Sequence, residues 1–365
     1  MAHVKNRPTV KTLTAVAACG LLTLAAACSS PGGSKPAATA SGRPSGSATA
    51  SSPATSAAPA VQLTPTQAKQ AFDAFFPHYA ALAKNHTAAD VPQLTTGVQA
   101  QVMAFDAAKD LGLLVSPQLT ERFYVPRVTS YPRWFAEVGT TKSGGAAGGD
   151  LFLMVQSQSG GPWQDAYLLS WTGSAPAQLS GLAVDGQGYA TAVNAGQSSL
   201  VIPPGQLAAQ YTKLLAGTAG AAAGSFASGD PTTAWASTQQ QIIKGAPAQG
   251  WQVSFGYSGP ANSVYALRTT TGGAVVFFSF GQTSNWVALN DTPKVSGGVI
   301  PFDGRMPINL AVDAGLSTPH IKTGTHFDST YVFQPLAVDP PAGGKVSLMD
   351  RELDGGGLTS ATMSG

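Results

Sequence analysis

The sequence predicts an α+β protein of two tandem units, each laying its helices on one face of a curved antiparallel sheet. Apolar residues recur at helical spacing near the start of each half. Each half then turns to strand-like runs that fold back through glycine-rich turns. The opening helices of the two halves also align without a gap.

The first unit is placed at residues 61–198. Ala68, Phe72, Phe75 and Tyr79 form an apolar stripe, and Thr64 before Pro65 supplies an N-cap and a first helical residue. Pro77 is expected to kink or end this helix. A second helix is expected over Gly97 to Leu111. Trp134 to Thr141 then reads as a strand, followed by a Gly-rich turn and a return strand at Leu151 to Val155.

The second unit, 199–353, repeats the plan. Ile202 to Leu215 matches Leu63 to Phe76 through Leu63/Ile202, Pro65/Pro204, Gln67/Gln206, Phe72/Tyr211, Phe75/Leu214 and Phe76/Leu215. A weaker helix is expected over Thr232 to Ile243. Val264 to Thr271, Gly272-Gly273 and Ala274 to Phe280 form a second hairpin. Both return strands are apolar on both faces, so both should be central in a covered sheet. The similar offsets of helix and hairpin point to an internal duplication. Residues 354–365 are expected to be a disordered tail.

Ahead of these units lies an export address. Lys5, Arg7 and Lys11 precede an uncharged stretch, Thr12 to Ala27, the layout of a signal peptide over residues 1–27. That stretch is shorter than the ~20 residues that cross a bilayer core, and no later segment approaches such a length uninterrupted. Leu24-Ala25-Ala26-Ala27-Cys28 resembles a lipobox, with Leu one position further from Cys28 than is usual. Val16-Ala17-Ala18-Cys19 is the competing match, but cutting there would strand an apolar run in the mature chain. Cys28 is therefore the expected lipidation site; cleavage after Ala27 with release is the alternative. Residues 28–60 are almost wholly Ser, Ala, Thr, Gly and Pro and read as a disordered tether spanning roughly 30 Å.

Composition narrows the function. The chain carries 20 basic and 18 acidic residues, and the three basic ones named above leave with the signal. A nearly neutral mature chain with 10% charged residues has no electrostatic footprint for nucleic acid. With Cys19 removed and Cys28 acylated, the folded part has no disulfide and no thiolate nucleophile.

The run Arg122-Phe123-Tyr124-Val125-Pro126-Arg127, followed by Tyr131-Pro132-Arg133-Trp134-Phe135-Ala136, resembles a signature of actinobacterial lipoproteins of unknown function, Streptomyces-type secreted proteins. Leu182-Ala183-Val184-Asp185-Gly186 with Ala190-Thr191-Ala192-Val193 is similar to the same family, as is Val264 to Arg268 before Gly272-Gly273. The resemblance spans roughly Leu63 to Glu352. It implies location and architecture, and supplies no activity. The order of elements resembles the NTF2-like or cystatin-like plan, in which a curved sheet wraps a long helix.

The sequence offers little reaction chemistry. No Ser is flanked by Gly at both −2 and +2, and no phosphate or dinucleotide glycine fingerprint occurs. His78, His86, His320 and His326 lack metal-ligand spacing, so no metal and no cofactor is expected. Glu121, Glu137 and Glu352 are the only glutamates, and Asp350 to Asp354 reads as solvated charge. The densest aromatic and basic segment holds Tyr124, Arg127, Tyr131, Arg133 and Trp134. It reads either as a binding surface for a ligand or partner, or as a strand–turn–strand with its aromatics turned inward.

Together these observations predict a non-catalytic lipoprotein on the extracytoplasmic face of the cell membrane. Its expected partners are membrane lipid through Cys28 and either an envelope protein or a small ligand. The alternatives are a pocket enzyme of NTF2-like type (a hydrolase or isomerase), whose groups need no linear motif, and a transporter-associated substrate-binding lipoprotein.

Overall fold

The computed structural model describes residues 62–85, 87–109, 118–143, 146–259, 264–289, 326–349 and 356–364. Cys28, His86, His320 and Asp350 to Asp354 lie outside them. Pro59–Gly365 form one compact unit.

Helix α1 spans Pro65–Asn85. Thr64 Oγ1 accepts from the Gln67 N–H at 3.2 Å, while Gln67 Oε1 accepts from the Thr64 N–H at 2.9 Å. This reciprocal box satisfies two donors that a helix start leaves open. Of the two expectations for Pro77, it does not end the helix; it sits on the exposed side, where water reaches the freed carbonyl. Phe72, Phe75 and Tyr79, buried on both sides of Pro77, hold the helix to the sheet. The short α2 (Val91–Leu94) leads into α3 (Gly97–Lys109).

Four long strands follow: β1 (Gln118–Pro126), β2 (Arg133–Ser143), β3 (Ala146–Gln156) and β4 (Gln164–Thr172). After α4 (Ala177–Ser180), the two-residue β5 (Tyr189–Ala190) pairs parallel to β1. Sheet 1 has the order β4-β3-β2-β1-β5. Gly149 on β3 has no room for a side chain, since the Trp171 ring and the Gly139 carbonyl fill that space.

The second half begins with α5 (Pro204–Leu215) and α6 (Trp235–Gly245). Its strands are β6 (Trp251–Ser258), β7 (Tyr265–Arg268), β8 (Ala274–Phe277), β9 (Phe280–Ala288), β10 (His326–Phe333), β11 (Leu336–Asp339), β12 (Ser347–Leu348) and β13 (Gly356–Ser364). They make sheet 2, β13-β10-β9-β6, and sheet 3, β12-β11-β8-β7. The expected disordered tail is instead β13, paired antiparallel with β10 from Phe333↔Gly356 to His326↔Ser364. A side chain at Gly357 would strike Val102 of α3.

Side-chain alternation orders the layers. On one face of sheet 1, Phe135, Phe152 and Met154 pack with Phe72, Phe75 and Tyr79 of α1. On the other face, Trp134, Leu151, Leu153, Val155, Tyr167 and Leu169 pack with Leu267, Val275, Phe277 and Leu336 of sheet 3. The far side of sheet 3 presents Ala274 and Val276 to Leu207, Ala208 and Tyr211 of α5. The layers therefore run α1, sheet 1, sheet 3, α5. Both return strands, β3 and β8, have neighbours on both sides, as their apolar runs predict. The linker joins the two sheets: β5 pairs with β1, and Ala192 bridges Leu267 of β7.

Candidate functional site

Two irregularities in the strands meet at one end of the seam between sheets 1 and 3. On β4, Tyr167 pairs with Leu153 and Asp165 with Met154, so Ala166 is an unpaired bulge residue. Its carbonyl leaves the ladder and accepts from Gln334 Nε2 at 3.1 Å. In the second half, the pairing Phe333↔Phe280 gives way to Leu336↔Phe277. Phe278-Ser279 and Gln334-Pro335 thus break together, and the strand pair turns a corner from sheet 2 into sheet 3. Bulges of this kind re-aim side chains and recur beside binding sites.

A cleft of about 180 Å³ opens where these features meet. Leu153, Val155, Ala166 and Tyr167 line it from sheet 1, and Tyr265, Phe277, Ser279 and Gln334 from the second half. Thr96 and Gly97 bring the start of α3 to its rim, held there by the Thr96 N–H donating to the Asp165 carbonyl at 2.9 Å. Aromatic edges stiffen the walls: Tyr167 meets Phe277 at 5.6 Å and 82°, and Trp134 meets Tyr265 at 5.1 Å and 61°.

Three lining residues carry a buried polar atom without a hydrogen-bond partner among the described residues: Tyr167 Oη, Ser279 Oγ and Gln334 Oε1. Each such atom costs about 1–3 kcal/mol, so native proteins rarely gather several in one place without a reason. Among the described residues, no charged side chain lines the cleft. Burial pushes the Tyr167 phenol well above its ordinary range, so it stays protonated and can donate.

The predicted surface residues are dispersed. Tyr124 is buried and its hydroxyl donates to the Leu179 carbonyl at 3.0 Å. Trp134 is buried in the seam. Arg127 is exposed; it binds Asp185 at 2.6 Å and lies 4.0 Å from the Tyr189 ring centre, closing the turn before β5. Arg127 holds the Asp185 carboxyl below its usual range, helped by the Tyr189 and Gln187 N–H groups. Arg133 stacks over Tyr131 at 5.0 Å and near Trp163 at 5.9 Å, away from Trp134, which points to the opposite face of β2. The five residues form no single surface, and only Trp134 approaches the cleft, through Tyr265.

The α1 side of sheet 1 holds chemistry that the residue pattern did not reveal. Glu137 is fully buried opposite Phe123 and Phe152, with both carboxylate oxygens unpartnered among the described residues. Burial pushes it up to about 9, helped by the nearby Glu121 and Asp150. Asp165, also fully buried, is pushed up to about 8 by burial, against the pull of the Tyr167 and Leu153 N–H groups. Both are therefore protonated at neutral pH. Asp150 accepts from Ser170 Oγ at 2.6 Å.

Among the histidines, His78 is exposed and His326 contacts Asn285 and Asp328 at 2.9 Å each. No cluster of His, Cys, Asp and Glu suited to a metal occurs among the described residues. No helix there is long and apolar enough to cross a membrane.

Residues 57–355 match a family described as a domain of unknown function (DUF8094). An uncharacterized lipoprotein of Streptomyces coelicolor is 29% identical over 252 residues, covering 67% of this chain and 66% of its own. An uncharacterized lipoprotein of Streptomyces avermitilis is 32% identical over 158 residues, covering 43% of this chain and 45% of its own. The chain thus spans less than two thirds of the length of either relative. No solved structure matches. With most of its length matched, the chain belongs to this family of unknown function, whose relatives are lipoproteins.

Proposed function

We propose that the chain is a non-catalytic binding protein, anchored to the extracytoplasmic face of a membrane through acylated Cys28, that takes a small molecule into the seam cleft. The observation that carries this reading is the open cleft of about 180 Å³ at the corner between sheets 1 and 3, walled by Tyr167, Tyr265 and Phe277. A concave, largely apolar site of this kind is where a small molecule buries its surface. The lipoprotein relatives support the anchor, and the polar tether would hold the folded unit away from the lipid.

The placement of the acids supports a binding role over catalysis. Asp165, which titrates near neutrality, lies on the α1 face of β4, whereas Tyr167 faces the seam across the bulge. A general acid must come within hydrogen-bond reach of substrate, and this one has the sheet in between. The NTF2-like or cystatin-like plan, and the duplication behind it, belong to the same proposal. Their support is that α1 and α5 begin at the matched Pro65 and Pro204, and that each packs on an antiparallel sheet.

Native mass spectrometry of the full protein, extracted in detergent from its own membrane, tests the reading. The expected result is acyl mass on Cys28 and a further small non-covalent mass. Ser157→Trp, a bulky change at an exposed position of the cleft wall, should remove that second mass and leave the acyl groups. A protein without acyl mass refutes the anchor, and a small mass untouched by Ser157→Trp refutes the cleft.

A further inference from the structure

We infer that Asp165 is a positioning residue that ties the rim of the seam cleft to its wall, and that loss of its proton loosens both together. This rests on the reading of the cleft as a binding site and adds a control over its shape.

Connectivity comes first. Asp165 stands just before the bulge residue Ala166 on β4 and pairs with Met154. Its carbonyl accepts from the Thr96 N–H at 2.9 Å, and Thr95 forms a parallel bridge to it. That bond sets the start of α3, where Gly97 takes a φ of 60° at the rim of the cleft. The side chain reaches the other part: Oδ1 accepts from the Tyr167 N–H at 3.1 Å. Tyr167 and Ala166 both line the cleft. Rim and wall therefore meet at one residue, whose own side chain lies on the α1 face and outside the cleft.

Burial comes second. Asp165 is fully buried, and its Oδ2 has no hydrogen-bond partner among the described residues. The titratable groups of the elements packed there are the Tyr79 phenol on α1, Asp106 on α3 and Asp150 on β3, with Glu137 of β2 further along the same face. None of them is a cation. Gln99 of α3 donates to Tyr79 Oη at 3.3 Å. A charge on Asp165 has the Tyr167 and Leu153 N–H groups to hold it, and burial outweighs them, so the proton stays on up to about 8.

Linkage gives the direction. The raised folded value means that the enclosed state binds the proton more tightly than an open one does. Its advantage is complete below the ordinary carboxyl value near ~4 and falls by up to about tenfold per pH unit until about 8. An ionised Asp165 gains water only when the residues over it part. The weakest of these are the rim at Thr96 and Gly97 and the bulge at Ala166, where the ladder is already broken.

Carbon-13 NMR of the full acylated protein in detergent, labelled selectively at Asp, Thr, Gly and Tyr, provides the test across pH 4 to 10. The Asp165 carboxyl should titrate with a midpoint well above ~4 and no higher than about 8. The carbonyl signals of Thr96, Gly97 and Tyr167 should follow that same midpoint. Asp165→Asn keeps an acceptor for the Tyr167 N–H and has no acidic proton, so it should remove the midpoint from all three. Glu137→Gln, on the same face but bonded to neither rim nor wall, should leave it in place. The co-purifying mass should be shed by the unaltered protein over the same range, about tenfold, and retained by Asp165→Asn. A carboxyl that titrates near ~4, or backbone signals without a common midpoint, would overturn the inference in the unaltered protein, whether or not Asp165→Asn folds. A common midpoint that persists in Asp165→Asn would assign it to another group and overturn the inference as well. A common midpoint in a protein with no co-purifying mass would uphold the tie between rim and wall while refuting the cleft as a ligand site.

Discussion

The two faces of sheet 1 meet different partners, and the difference separates stability from function. Toward α1, Phe152 is ringed by Phe72, Phe75, Phe76 and Tyr79 at centroid distances of 5.4–6.4 Å, mostly edge to face. The aromatics there close the layer. Toward sheet 3, the packing is equally apolar over most of its area but fails at one end, where the Ala166 bulge faces the Gln334 corner. The α1 face is filled with side chains and encloses Glu137 among them, whereas the broken alternation at the seam leaves a cleft.

Mutations should reproduce that contrast. Phe72→Ala on the α1 side should be the most costly change, roughly 3–5 kcal/mol by chemical denaturation, since it empties a fully buried aromatic site. A loss under 1 kcal/mol would mean that the α1 layer is not a tight core.

The buried acids sharpen the same face. Glu137 and Asp165 have folded values raised to about 9 and about 8, above their unfolded values near ~4. The folded state therefore binds more protons than the unfolded state between pH 4 and 9. The stability they allow is present in full below pH 4 and is lost as pH rises through 8 and 9. Each group contributes a slope of at most about 1.4 kcal/mol per pH unit in that window. Glu137→Leu should flatten part of the decline and raise stability at pH 8, as read from urea denaturation at a series of pH values. A wild-type protein equally stable at pH 5 and 8 would contradict the burial of both carboxyls.

At the seam the expected effect is smaller and of opposite sign. Tyr167→Phe and Ser279→Ala should leave stability unchanged or raise it by up to about 1 kcal/mol, because each deletes a polar atom with no partner among the described residues. A clear destabilisation would show that these hydroxyls are bonded in the free fold. Smallest of all is Arg127→Ala. Its ion pair with Asp185 is exposed on both sides, so the melting temperature should not move measurably.

Much of the regular structure was legible in the residues. The stripe through Ala68, Phe72, Phe75 and Tyr79 located α1, the Thr64–Pro65 pair located its start, and the apolar return strands announced a sheet covered on both faces. The continuation of α1 through Pro77 and the pairing of β13 depend on surroundings that the residue pattern does not carry. A proline survives within a helix when its face is solvated and its neighbours are anchored, and a Gly-rich strand forms when an edge is waiting for it. The cleft was not legible either. Ser279 interrupts the apolar run from Ala274, but only the pairing with β11 shows that Gln334 breaks the partner strand at the same point. Glu137 was one of three glutamates without a partner pattern; cross-strand register was needed to see it enclosed by Phe123 and Phe152. Of the two readings of the aromatic and basic segment, burial of Tyr124 and Trp134 agrees with aromatics turned inward, and successive residues of a strand face opposite ways.

The most direct test is a high-resolution crystal structure of the protein purified from its own membrane. It should show one compact small molecule in the seam cleft, lying against Tyr167, Tyr265 and Phe277. A cleft that holds only water would contradict the assignment of the seam as a ligand site.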